Sequence, residues 1–281
     1  MRKDRVMQGK VRRYKSIFLS DIHLGTRGCN ADYLLEFIKY HDADNFYLVG
    51  DIVDCWKLKK NWYWPQAHND VVQKILRKAR KGSRVIYITG NHDEIFRDYF
   101  GIHFGGIEVA EEAVHIAADG KKYLVMHGDA FDGVLLNAKW LAYLGDWAYE
   151  TCLKLNTVFN YCRRKLGFGY WSLSAYLKFK VKNAVQFIYD FENLLIEEAR
   201  RREVDGVICG HIHHAEIRKM DGIVYMNDGD WVESCTALVE DKNGKFRIID
   251  WVSEREAILT DEELHKKKPR SKNKNKTVEA A

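Results

Sequence analysis

Apolar residues gather in five short runs, at 16–19 (SIFL), 46–49 (FYLV), 85–89 (VIYIT), 123–126 (YLVM) and 207–209 (VIC). Each is rich in β-branched, aromatic or leucine side chains and too short for a helical face, which predicts strands buried on both sides. Each run stops abruptly in polar residues: SDIH, GDIVD, GNHD, HGD and GHIHH. Between them, residues 31–40 and 71–79 carry apolar positions at helical spacing, and Gly82 follows the second as a stop. After His214 the pattern predicts strands at 223–226, 236–240 and 245–251, the last two joined by a hairpin through Asn243-Gly244. The expected architecture is a layered α/β protein, parallel strands first and antiparallel strands late.

Residues 131–202 break this rhythm. Leu136, Trp140, Leu144 and Trp147 recur at helical spacing, as do Leu177, Val181, Val185, Ile188 and Leu195. The stretch carries none of the polar strand-end motifs and reads as a helical insertion within a domain spanning 12–255.

Composition adds little to this picture. With 46% hydrophobic and 30% charged residues, the chain has the apolar content of a soluble globular protein. Its net charge of +5 is concentrated at both ends. The tail at 264–281, with its KKKPRSKNKNKT stretch, is expected to be disordered. Such ends read first as solvated tails and second as attraction to nucleic acid or an anionic membrane. No aromatic-basic recognition motif accompanies them, so nucleic acid is not expected as a partner. The six cysteines form no Cys-x-x-Cys pair, which suits a reducing cytoplasm. No signal peptide is evident, and no apolar run is long enough to span a bilayer.

The chemistry lies at the strand ends, where open α/β sheets bind ligands. Asp21 and His23 stand two apart, as do His211 and His213; Asp51 follows Gly50, Asn91 follows Gly90, His211 follows Gly210, and His127 completes the set. A single Asp-x-His or Gly-Asp is weak evidence, more often an ordinary loop than a ligand. His103 and His115, outside the pattern, read as ordinary surface or core histidines. The ordered conjunction is different, because chance assembly at successive strand ends is improbable. Four imidazoles, two carboxylates and an amide suit divalent Mn, Fe, Co, Ni or Zn rather than a thiolate-rich structural zinc. Seven ligands exceed what one open ion needs and fit two. His92, beside Asn91, could serve as a donor or general acid to a bound group, with Asp93 to orient it or merely to cap the loop. Asp54 and Asp129 are candidates for supporting roles, with capping or surface placement an equal alternative.

SDIHLG, GDIVD, GNHD, VMHGD and GHIHH resemble, segment for segment, the motif series of the calcineurin-like metallophosphoesterases. The resemblance implies a four-layer α/β/β/α sandwich. It also implies one metal held by Asp21, His23 and His213, a second held by Asn91, His127 and His211, and Asp51 as the bridge. Two such ions, manganese first among the candidates, would activate water for attack on phosphorus.

The insertion between HGD and GHIHH resembles the UDP-2,3-diacylglucosamine diphosphatase branch of that family, in which it forms a lid over acyl chains. Here its aromatics could cradle lipid or merely pack on the core. Arg163, Arg164, Lys178 and Lys182 could meet phosphate or an anionic membrane. The branch carries Arg after the metal-binding Asn; this chain has His92. Three readings follow: a UDP-sugar-lipid diphosphatase in the cytoplasm, peripheral on the inner membrane; a broader phosphodiesterase or phosphatase on soluble substrates; and an inactive scaffold, which the complete ligand set disfavours.

Overall fold

The computed structural model describes residues 11–132 and 173–256, with backbone alone over 173–185. The first half runs β1 (Arg12–Leu19), α1 (Ala31–Tyr40), β2 (His41–Val49), α2 (Cys55–Lys60), α3 (Gln66–Arg80) and β3 (Arg84–Ile88). Next come a 3-10 turn (Glu94–Tyr99), β4 (His103–Phe104), β5 (Ile107–Ala110), β6 (Ala113–Ile116), β7 (Lys122–Val125) and a second 3-10 turn (Asp129–Phe131). The remainder is α4 (Leu173–Arg201), β8 (Gly206–Cys209), β9 (Glu216–Met220), β10 (Ile223–Asn227), β11 (Thr236–Glu240) and β12 (Phe246–Asp250).

All five apolar runs are strands, and their lack of polar alternation has a direct cause. In β1, Ile17 and Leu19 face one apolar cluster while Phe18 faces another; in β2, Phe46 and Leu48 oppose Tyr47 and Val49 in the same way. Side chains of a strand alternate between faces, so a strand covered on both must be apolar throughout. One sheet has the order β12-β11-β1-β2-β3-β5-β4 and the other β6-β7-β8-β10-β9. Their inner faces meet through Phe18, Tyr47, Ile86 and Ile88 on one side and Tyr123, Val125, Ile208 and Met226 on the other. Outside the first sheet, α1 and α3 contribute Leu34, Phe37, Val71 and Ile75. Outside the second, α4 contributes Phe191, Leu195, Ile196 and Ala199. The fold is therefore an α/β/β/α sandwich. The segment expected as an insertion is helical from Leu173, and its last turns form the fourth layer itself.

Strand directions are more mixed than the pattern suggested. β6 pairs antiparallel with β7 in the first half, whereas β10 pairs parallel with β8 in the second. The chain leaves β8, returns along the sheet edge as β9, and re-enters beside β8 as β10. The short β4 and β6 escaped notice because their outward side chains are exposed and their runs too brief for a periodicity to register. The Asn243-Gly244 hairpin joins β11 and β12 as expected, with Gly244 at φ +78°. No described helix is long and apolar enough to cross a membrane.

Candidate metal centre

The carboxyl ends of β1, β2, β3, β7 and β8 share one rim, and the polar strand-end residues converge there. Donor atoms of Asp21, His23 and His213 lie within 4.8 Å of one another, as do those of Asp51, His127 and His211. Asp51 Oδ2 stands between the groups, 3.9 Å from His23 Nε2 and 3.4 Å from His127 Nε2.

Each carboxylate is fixed by one oxygen and presents the other. His92 N–H donates to Asp51 Oδ1 at 2.8 Å, leaving Oδ2 for the cluster. His211 N–H donates to Asp21 Oδ2 at 2.8 Å, leaving Oδ1. Oδ1 has no well-directed hydrogen bond, although His213 Nε2 is 3.1 Å away, and Asn91 Oδ1 is buried without a hydrogen-bond partner among the described residues. Buried polar atoms are ordinarily satisfied, so oxygens held unsatisfied beside several imidazole nitrogens are what a cation requires.

The imidazoles are aimed by their other nitrogens. His127 Nδ1 lies 2.9 Å from the Val49 carbonyl, which fixes the proton there and turns Nε2 inward. His211 Nε2 lies 2.8 Å from Asp132 Oδ1, leaving Nδ1 3.3 Å from His127 Nε2. Phe191 of α4 lies behind His211, ring centroids 5.9 Å apart. His23 Nδ1 is 3.3 Å from Asp54 Oδ2, which frees Nε2 for Asp21 and Asp51. Asp132 carries no motif, and only its spacing five residues beyond His127 could have drawn attention to it.

The glycines before the ligands act less on their own residue than on the one opposite. A Cβ on Gly50 would fall 2.3 Å from the His127 ring, on Gly90 2.2 Å from Asp51 Oδ1, and on Gly210 2.6 Å from Asp21 Oδ2. Of the three, Gly50 alone has positive φ. The ligands themselves carry the unusual backbone: Asp21, His23, Asp51, His211 and His213 all lie at φ between +48° and +72°.

His92 lies beside the first group. Its Nδ1 is 3.1 Å from Asp54 Oδ2, its ring packs 4.4 Å from that of Trp56, and His23 meets it edge-on at 4.7 Å. The sequence suggested Asp93 for this orienting contact. The Asp93 carboxylate instead turns back to accept from Gly90 N, Ile52 N and the Tyr87 hydroxyl, bracing the ligand loops from behind. Asp129 meets Arg97. His115 is buried between the Tyr47 hydroxyl and Glu240, and His103 is exposed on β4, both away from the ligand groups. Arg163 and Arg164 lie outside the described residues, as do the tail at 264–281 and the side chains of Lys178 and Lys182.

Electrostatically the site is a network of acid–imidazole pairs. Burial opposes charge on His127, yet Asp51 pushes its pKa up to about 10. Burial likewise favours a neutral Asp51, but His127 and His23 hold its carboxyl below the usual range. Asp54 is held low against its own burial by His23 and His92, and His92 is raised against burial by Asp54 and Asp51. The neighbouring carboxylates thus favour a proton on His127 and on His92, where divalent ions would otherwise supply the positive charge.

A two-sheet α/β sandwich with adjoining N/O candidate ligand groups at its strand ends is the arrangement of a metal-dependent phosphoester hydrolase. The chain belongs to the calcineurin-like phosphoesterases, whose family model matches residues 14–215. It is 30% identical over 118 residues to a UDP-2,3-diacylglucosamine hydrolase of Aliivibrio fischeri (strain MJ11), covering 40% of this chain and 47% of that protein. It is 26% identical over 116 residues to the UDP-2,3-diacylglucosamine hydrolase of Blochmanniella pennsylvanica (strain BPEN), covering 40% of this chain and 46% of the relative. The chain thus matches about half the length of these curated relatives. Among solved structures, the protein PH1004 of Pyrococcus horikoshii OT3 aligns over 91% of this chain and 94% of its own with a TM-score of 0.46 at 12% identity.

Proposed function

We propose that this protein is a dinuclear-metal hydrolase of a diphosphate of the UDP-2,3-diacylglucosamine type, releasing UMP and a lipid phosphate. The observation that carries the reading is the position of Asp51 Oδ2 between the imidazoles of His23 and His127. In this reading Asp21, His23 and His213 hold one ion, Asn91, His127 and His211 hold the other, and Asp51 is shared. Two divalent ions, manganese foremost and iron, zinc, cobalt or nickel as alternatives, would supply Lewis-acid charge and an activated water.

The protein's own groups do the rest. Asp54 orients His92, whose Nε2 donates a proton to the leaving oxygen as the P–O bond breaks. Burial of Asp21, His23, Asp51 and His127 keeps those charges strong, because water screens them poorly there. The diacylglucosamine substrate is supported by the two relatives and by the aromatic sequence at 131–172. With that substrate go a cytoplasmic location and contact with an anionic inner membrane, and no nucleic-acid partner. Asp93 and Asp129 would support the ligand loops. Arg163, Arg164, Lys178 and Lys182 would meet substrate phosphate.

His92 favours a second reading. A histidine in the place where the diacylglucosamine branch carries arginine suits a broader phosphodiesterase or phosphatase acting on soluble esters. A side-by-side assay with Mn²⁺ separates the two, using UDP-2,3-diacylglucosamine, bis-p-nitrophenyl phosphate and p-nitrophenyl phosphate. UMP release from the lipid alone supports the first reading; rapid turnover of only the small esters sinks it.

A further inference from the structure

Arg97 lies on the 3-10 turn after the Asn91-His92 loop, with its side chain 42% exposed. Its Nη2 donates to the Gly90 carbonyl at 3.3 Å and to Asp129 Oδ2 at 2.5 Å. Gly90 precedes Asn91, and Asp129 follows His127 by two residues. The guanidinium therefore spans the loops that carry two candidate ligands from different sheets, and its side chain is partly open to solvent. Gly90 itself abuts Asp51, since a Cβ there would fall 2.2 Å from Asp51 Oδ1.

A guanidinium has five N–H donors in a rigid plane. The two contacts engage Nη2 and fix that plane, while Nε and Nη1 meet no acceptor among the described residues. A half-exposed arginine held at Nη2 by two acceptors on the ligand loops, with donors left over, is arranged to receive an anion. The reacting phosphoryl group belongs to the metal ligands and His92, so the anion at Arg97 is the next group along.

We propose that Arg97 is a specificity-determining residue: its Nε and Nη1 donors take the phosphate adjacent to the reacting one, so the site favours diphosphates over isolated phosphate esters. This rests on the hydrolase reading above and assigns its diphosphate preference to a residue.

The test compares wild-type protein with Arg97→Ala and with Arg97→Lys, whose single ammonium keeps the charge facing Gly90 and Asp129 but lacks the planar Nε and Nη1 donors. Two quantities are measured on the Mn²⁺-loaded protein. One is kcat/KM for UDP-2,3-diacylglucosamine relative to bis-p-nitrophenyl phosphate. The other is the affinity for UDP relative to UMP by calorimetry. Both variants should lower the diphosphate preference about 10–100-fold, the loss expected for charge-assisted hydrogen bonds, and shrink the UDP-over-UMP ratio. Equal losses on both substrates with an unchanged UDP-over-UMP ratio would make Arg97 a loop clip and overturn the inference. So would wild-type protein that cleaves the small diester but shows no preference for UDP over UMP. If wild-type protein cleaves neither substrate, the hydrolase reading fails, and the UDP-over-UMP ratio still decides the role of Arg97.

Discussion

The carboxylate of Asp54 lies 3.1 Å from Nδ1 of His92, and the same oxygen lies 3.3 Å from Nδ1 of His23. One acid thus aims both a metal-ligand candidate and the candidate proton donor. It also caps α2 by accepting from Lys57 N, which holds it in place. Asp54→Asn should cost about 10–100-fold in kcat, the usual range for partners of ligating histidines. The loss should be larger for substrates with poor leaving groups, measured as a steeper dependence of rate on leaving-group pKa. An unchanged slope would remove His92 from the proton-transfer step.

The strand ends and their polar residues were legible in the sequence because buried parallel strands are written as continuous apolar runs. The assignment of Asp93 to His92 shows where such reading stops. Adjacency along the chain suggested the pair, but a carboxylate follows its best donors, and here those are Gly90 N and Ile52 N. Asp54 comes from a different loop, and Asp132 from a turn without a motif; only the packed backbone brings them in. α2 was missed because its six residues are too short to show a period.

Metal uptake should release protons. His127 has its pKa pushed up to about 10 by Asp51, yet a ligating imidazole must be neutral at the binding nitrogen. At pH 8 the ion must therefore displace a proton, and affinity should rise with pH through the window up to about 10. Titrating Mn²⁺ into metal-free protein in two buffers of different ionisation enthalpy should give different observed heats. Identical heats would contradict a protonated His127.

Gly90→Ala should be far more damaging than its size suggests. The added methyl would meet Asp51 Oδ1 at 2.2 Å and the Asp51 backbone nitrogen at 2.6 Å. Neither can retreat without moving the shared carboxylate. The expected outcome is metal content well below wild type and activity reduced at least about 100-fold, a scale set by 1 Å misplacements in active sites. Full metal occupancy in this variant would refute the rigidity of the loop.

His41 gives a pH signature unrelated to catalysis. It is fully buried, stacked on Phe37 at 4.3 Å and edge-on to Trp251 at 5.3 Å, with Nδ1 2.8 Å from the Phe37 carbonyl. Burial lowers its pKa from the ordinary 6.5 to about 4. The unfolded chain therefore binds the proton more readily, and His41 stabilises the fold fully above pH 6.5 only. That contribution is lost as pH falls from 6.5 to 4, about 3 kcal/mol in all. Denaturant unfolding of wild type and His41→Gln should show a stability difference that changes in this window and is flat above it. A difference constant from pH 4 to pH 8 would contradict the buried neutral ring.

Asp51→Ala should abolish hydrolysis and lower metal content together, because one carboxylate serves both ligand groups. Elemental analysis alongside the assay checks both, and full activity in the variant would refute the bridging role.

Five of the seven candidate ligands sit in left-handed backbone, where a residue with a Cβ is under strain of about 1–3 kcal/mol. Glycine at any of them would relieve the local backbone, so the packing around the strand ends holds these five side chains in place against a conformational cost.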